Sequence, residues 1–200
     1  MKESMKYPVS FLISAAIGLL TLMGQKILPD NLNFLANSGA VWMIPAFFMA
    51  FFFGRERKQS VVIATLCLLG CVSGYYVSEA IVNAHGLLLN YHVVIWLVCS
   101  FIGGLLGGLA GYYSRQANGL KSRLSSAFLP AVFLAEGIDK LLHPDMYGHI
   151  IYGTLLTLLI GLLLYPAISR KECLRREQLL ALCATTAMGL LFYELLYCLG

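Results

Sequence analysis

The sequence predicts an all-α polytopic membrane bundle of about seven transmembrane helices, and three observations carry that prediction. Of the 200 residues, 59% are hydrophobic and 12% charged, against about 25% charged in soluble domains. Mean hydropathy is +0.77. The apolar residues gather in seven runs, at about 8–25, 36–54, 59–82, 92–113, 123–142, 149–168 and 178–198. Each is long enough to cross a hydrocarbon core of roughly 30 Å at about 1.5 Å per helical residue. The period-2 alternation of a barrel is absent, which leaves helices as the structure that satisfies its own backbone in lipid. Residues 1–200 read as one integral membrane domain.

The first run follows Lys2 and Lys6 and reads as an uncleaved anchor, because six more runs follow it. The loop from Gln25 to Ser38 is rich in Asn and ends in Asn37-Ser38, side chains suited to cap the second helix. Phe47 to Phe53 in that helix reads as lipid contact and packing. The third and fourth runs share an echo, Leu68-Leu-Gly-Cys-Val-Ser-Gly-Tyr-Tyr76 and Leu105-Leu-Gly-Gly-Leu-Ala-Gly-Tyr-Tyr113. Gly70 and Gly74, and Gly103, Gly107 and Gly111, are spaced as flat helix faces against which another backbone packs closely. The echo reads either as packing faces or as an inverted repeat of the transporter kind. The fifth run is the weakest span, with Pro130, Glu136, Asp139 and Lys140 inside it.

Charge placement sets the expected orientation. With the N-terminus cytoplasmic, the inner segments hold Lys2, Lys6, Arg55, Arg57, Lys58, Arg115, Lys121, Arg123, Arg170, Lys171, Arg175 and Arg176, and the outer side keeps Lys26 and Lys140. That is the positive-inside pattern, and it places the C-terminus outside. Clusters this short make no continuous basic face, so no nucleic-acid partner is expected. The expected partners are the lipid bilayer and either a small solute or another membrane protein.

The groups able to do chemistry concentrate in the outer layer. His85, His92, His143 and His149 all fall there. Glu136 lies about 20 Å and Glu194 about 24 Å from the inner edge of their helices, and Glu79 lies near the outer boundary. Carboxylates inside a span normally face a bundle interior or a wet cavity and mark a solute or ion path. Glu136 with Lys140, and Asp139 with His143, also stand four residues apart, where local neutralisation explains them. Glu194 has no basic residue within a turn, so it either has a partner from elsewhere, such as Lys26, Lys140 or a ligand cation, or is protonated. The candidate ligand-binding residues are therefore Glu194, Glu136, Asp139, His143, His149, Tyr152, Trp96 and Glu79.

No metal site and no cofactor are expected. Glu136, Asp139 and His143 share one helical face, but a face seven residues long converges poorly on one ion, and no His-Glu-x-x-His is present. Intramembrane proteolysis is disfavoured because Ser73-Gly74 lacks a Gly-x-Ser-Gly setting and no later span holds a histidine base. The six cysteines make no disulfide framework and read as small apolar packers. Trp42 and Trp96, with Tyr75, Tyr76, Tyr91, Tyr147, Tyr152, Tyr193 and Tyr197, read by default as an interfacial belt, or alternatively as the lining of an aromatic pocket for a cationic or amphipathic ligand.

Leu35-Ala-Asn-Ser-Gly-Ala-Val-Trp42, the Gly-Tyr-Tyr of the third run and Ala135-Glu136 resemble a family of uncharacterised bacterial multi-pass membrane proteins of about this length. The resemblance implies a bacterial inner-membrane protein and brings no activity with it. The size also resembles the substrate-capture subunits of energy-coupling transporters, from which a seventh span departs. The expected function is a small-molecule transport or solute-binding component with an outward-facing polar and aromatic pocket. The alternatives are a non-catalytic partner subunit packing through its glycine faces, and a membrane enzyme with outer-side acid/base or metal chemistry.

Overall fold

The structure, a computed structural model, describes residues 5–36, 38–83, 91–116, 119–169 and 175–199. Among them there is no strand. The helices are α1 (Lys6–Ile27), α2 (Asp30–Ala36), α3 (Gly39–Phe53), α4 (Arg57–Val82), α5 (Tyr91–Tyr113), α6 (Leu120–Leu142), α7 (Pro144–Tyr147), α8 (Ile151–Ser169) and α9 (Arg176–Leu199), with a 3-10 turn at Gly148–Ile150. Each of the seven apolar runs becomes one long helix, within a few residues of its expected ends. Ser38 caps α3 by accepting from the Val41 amide at 3.3 Å. Asn37, the other expected cap, lies outside the described residues, as do His85, Arg170, Lys171 and Cys173.

Among the described residues, six helical stretches are long and apolar enough to cross a membrane, the make-up of a multi-pass membrane helix bundle: Lys6–Ile27, Asp30–Phe53, Arg57–Val82, Tyr91–Tyr113, Pro144–Ser169 and Arg176–Cys198. The helix that falls short is α6. Its 23 residues match its neighbours in length, but Lys121, Arg123, Glu136, Asp139 and Lys140 lower its apolarity.

The chain forms two compact units. The first comprises residues up to Leu28 together with Ala36–Tyr112. Its inner helix is α4, half of whose span is buried. Glycines let α1 lie directly on it: a Cβ at Gly74 would stand 2.0 Å from the Ala15 carbonyl oxygen, and one at Gly18 would stand 2.1 Å from that of Cys71. Gly70 meets Phe11 and Ser14 in the same way, so α1 and α4 run parallel. On α5, Gly104 and Gly108 close on Thr65 and Val61 of α4, and Gly111 on Phe47 and Phe51 of α3. The glycine faces are thus filled by helices of the same chain, which is why small residues recur on them.

The expected aromatic belt is corrected in this unit. Trp42 is 2% exposed and Tyr75 is also buried. Trp42 stacks obliquely on Trp96 at 5.3 Å and on Tyr75 at 6.0 Å. The indole N–H donates to Thr21 Oγ1 at 3.1 Å, and the Tyr75 hydroxyl donates to Gln25 Oε1 at 2.8 Å. Their polar ends have found protein partners, so they belong to the core. Phe47 is fully buried in packing, whereas Phe52 is exposed.

The second unit comprises Pro29–Leu35 and the residues from Tyr113 onward. Its inner helix is α6, with α8 against one side and α9 against another. Pairs along their length give the directions. Gly161 meets Pro130 and Phe133, and Gly137 meets Leu158, so α8 runs antiparallel to α6. Gln178 reaches Ser126, Gly189 meets Ala135, and Tyr193 reaches Glu136, so α9 runs parallel to it. One end is tied by Gln178, whose amide donates to Ser126 Oγ at 2.9 Å and to Ser169 Oγ at 3.1 Å, with the Arg123–Glu177 ion pair at 2.7 Å beside it.

Candidate functional site

The other end of the second unit holds the ionisable groups. About two turns of α6 place Glu136, Asp139, Lys140 and His143 in succession. Glu136, Asp139 and His143 lie toward the α9 face that carries Tyr193, Glu194 and Tyr197, and Lys140 lies toward Phe34 and Tyr147. Glu136 is 2% exposed and Asp139 5% exposed. Groups of this type are seldom buried so fully unless paired.

The two carboxylates are treated differently. Glu136 Oε1 accepts from Lys140 Nζ at 2.5 Å, and Oε2 accepts from the Tyr193 hydroxyl at 3.2 Å. The Lys140 ammonium also stands over the rings of Phe34, at 4.8 Å, and Tyr147, at 5.7 Å. Glu136 and Lys140 thus form the four-apart pair anticipated above, and a cation on ring faces completes its surroundings. Asp139 Oδ1 is buried and has no hydrogen-bond partner among the described residues. It lies 3.8 Å from His143 Nδ1, beyond hydrogen-bond reach.

His143 is oriented from two sides. Nδ1 lies 2.9 Å from the Asp139 carbonyl oxygen. A carbonyl only accepts, so Nδ1 carries the hydrogen and the ring presents Nε2 outward. The ring stacks on Tyr197 with centroids 4.1 Å apart. Nε2 faces Glu194 Oε2 at 3.8 Å. The basic neighbour of Glu194 is therefore His143, not Lys26 or Lys140, and Lys140 is occupied by Glu136. One ligand atom from each of Asp139, His143 and Glu194 lies within 4.8 Å of the others, a spacing able to hold a metal ion.

The remaining candidates are placed elsewhere. His149 is exposed on the 3-10 turn, and Tyr152 is 66% exposed at the start of α8. Glu79 and Trp96 belong to the first unit. An open recess of the second unit, lined by Arg175, Arg176, Glu177 and Leu180, lies at the start of α9, about 27 Å along the helix from Glu194. Phe34 and Gln178 were not singled out from the sequence, and Tyr193 was read only among the outer aromatics. The meeting of His143 with Glu194 had a legible signal in that both fall in the outer layer, but it needed the parallel register of α6 and α9. Phe34 had none, because its contact depends on how α2 folds back.

A family model, described as a family of unknown function (DUF6518), matches residues 2–199. No curated protein and no solved structure matches the chain.

Proposed function

We propose for this chain, which belongs to the DUF6518 family of unknown function, the role of a small-molecule membrane transport or solute-binding component. The observation that carries the reading is the cluster at the end of α6 and α9. Glu136 and Asp139 are nearly fully buried in a membrane bundle, and one Asp139 oxygen has no hydrogen-bond partner. Ionisable groups at such positions are costly and mark solute or ion paths. Glu136 is neutralised by Lys140, which leaves Asp139, His143 and Glu194 to meet a ligand, with Tyr147 and Tyr197 nearby. A net negative, aromatic-flanked site favours a cation.

In this reading α6 crosses the bilayer as a seventh span. Its length of about 34 Å suffices, and it pairs along its length with α8 and α9, which are apolar enough to cross. Polar residues tolerated on an interior helix explain its low hydropathy. The basic clusters favour a cytoplasmic N-terminus and an outer C-terminus in a bacterial inner membrane, with the acid–histidine cluster toward the outside.

Thermal unfolding of the purified full chain against a panel of small organic and inorganic cations tests the reading. A ligand is expected to raise the midpoint of the wild type and not that of Glu194→Gln. A panel in which no cation separates the two proteins refutes it. Uptake of the discriminating cation into proteoliposomes then separates transport from binding alone.

A further inference from the structure

We propose that Asp139, His143 and Glu194 form a binding site for one divalent transition-metal cation of the zinc class. This deepens the reading above by naming the ligand class of the same site. Three observations converge on it. First, the three residues bring their ligand atoms within 4.8 Å of one another from two different helices. A single face of α6 converges poorly on one ion, and Glu194 from α9 supplies the missing direction.

Second, His143 has the set-up of a metal-binding imidazole. Its Nδ1–H is engaged by the Asp139 carbonyl at 2.9 Å, which fixes the tautomer and frees the Nε2 lone pair. That lone pair faces a carboxylate oxygen at 3.8 Å. Such a separation is too long for a hydrogen bond. It matches the edge of a coordination shell, since two ligands about 2.0–2.2 Å from one ion stand roughly 3.3–3.8 Å apart. Glu194, with 43% of its side chain exposed, has the freedom to close the remaining gap.

Third, Asp139 Oδ1 is buried without a hydrogen-bond partner, in a side chain 7% exposed, and lies 3.8 Å from Nδ1 of the His143 ring, on the side away from Nε2 that the Asp139 carbonyl also occupies. A buried carboxylate oxygen left without a donor is expensive, and a cation removes the cost. The charges balance. Lys140 is committed to Glu136, so Asp139 and Glu194 contribute two negative charges that one dication neutralises. One imidazole with two carboxylates suits zinc and its neighbours better than calcium or magnesium, which prefer oxygen ligands alone. The three protein ligands leave a further position open to water or solute.

The test uses the full chain, purified in detergent, stripped with chelator and titrated with zinc, with cobalt(II) absorption reporting the ligand shell. The expected result is one zinc per chain and a tetrahedral or five-coordinate cobalt spectrum. His143→Ala and Glu194→Gln are each expected to weaken binding by roughly 100-fold or more, while His149→Ala keeps wild-type affinity. Glu194 is partly exposed, so Glu194→Gln tests the site even where Asp139→Asn fails to fold. Absence of stoichiometric zinc, or equal affinity in wild type, His143→Ala and Glu194→Gln, overturns the inference. An organic cation that distinguishes wild type from Glu194→Gln when zinc does not overturns the metal site and leaves solute binding standing. Zinc bound by the three residues but not taken up into proteoliposomes supports the site and refutes transport of the metal.

Discussion

Glu136 and Glu194 are both carboxylates near the same end of the second unit, yet their surroundings dictate opposite effects on stability. Glu136 is buried and held by Lys140 and Tyr193. Glu136→Gln strands the Lys140 charge, and removing one partner of a buried pair typically costs about 3–5 kcal/mol. Unfolding of the purified chain in a denaturing-detergent titration is expected to show a loss of that order. Replacing both partners, as in Glu136→Gln with Lys140→Met, is expected to recover much of it. Glu194 is 43% exposed in its side chain and 3.8 Å from its neighbour, so Glu194→Gln is expected to cost less than about 1 kcal/mol. If Glu194→Gln is as damaging as Glu136→Gln, the assignment of Glu136 to structure and Glu194 to ligand is wrong. At the other end of the unit, Gln178→Leu removes hydrogen bonds to Ser126 and Ser169. Its expected cost in the same titration is about 1 kcal/mol, the usual size of an interhelical hydrogen bond in membranes. The Glu136–Lys140 pair was legible in the sequence because both residues are on one helix at known spacing. The partner of Glu194 was not, because it depends on which helix lies beside α9 and in which direction.

Among the elements, glycines show most clearly what sequence spacing specifies and what it leaves open. The four-residue spacing on α4 and α5 announces close helix packing, and packing is what those faces do. Spacing alone does not name the opposing helix, which for the α4 glycines is α1. The contacts rank the glycines. At Gly74 and Gly104 a Cβ would meet backbone or a β-branched side chain well inside contact distance. At Gly103 it would meet the flexible ends of Leu68 and Met43 at 3.0 Å, and at Gly148 it would meet nothing. Gly74→Leu and Gly104→Leu are therefore expected to lower stability by at least about 1–3 kcal/mol, the scale of overpacking. Gly103→Ala and Gly148→Ala are expected to be nearly neutral. A thermal-unfolding series that fails to separate these pairs contradicts the packing described. The helix α6 teaches the converse lesson. Its polar content made it the weakest span in the sequence, and it is the inner helix of its unit, where side chains meet other helices instead of lipid.

For the whole molecule, the seven apolar runs mark the long helices to within a few residues, since hydrophobic length is a local property. The division into two units was not legible, because it rests on which helices pack together across long separations. Orientation rests on the placement of basic residues. Reporter fusions in a bacterial host are expected to place the N-terminus and the Arg55–Lys58 segment inside and the C-terminus outside. A C-terminal reporter found inside would mean that one of the seven helices, α6 first among them, does not cross. In the proposed site Asp139, His143 and Glu194 close around one bound cation. An experimental density map of the full chain in lipid, prepared with zinc present, measures this directly. The predicted result is a single peak about 2.0–2.2 Å from His143 Nε2 and from one oxygen each of Asp139 and Glu194. A map in which His143 and Glu194 close directly on each other at hydrogen-bond distance, with no peak between them, contradicts it.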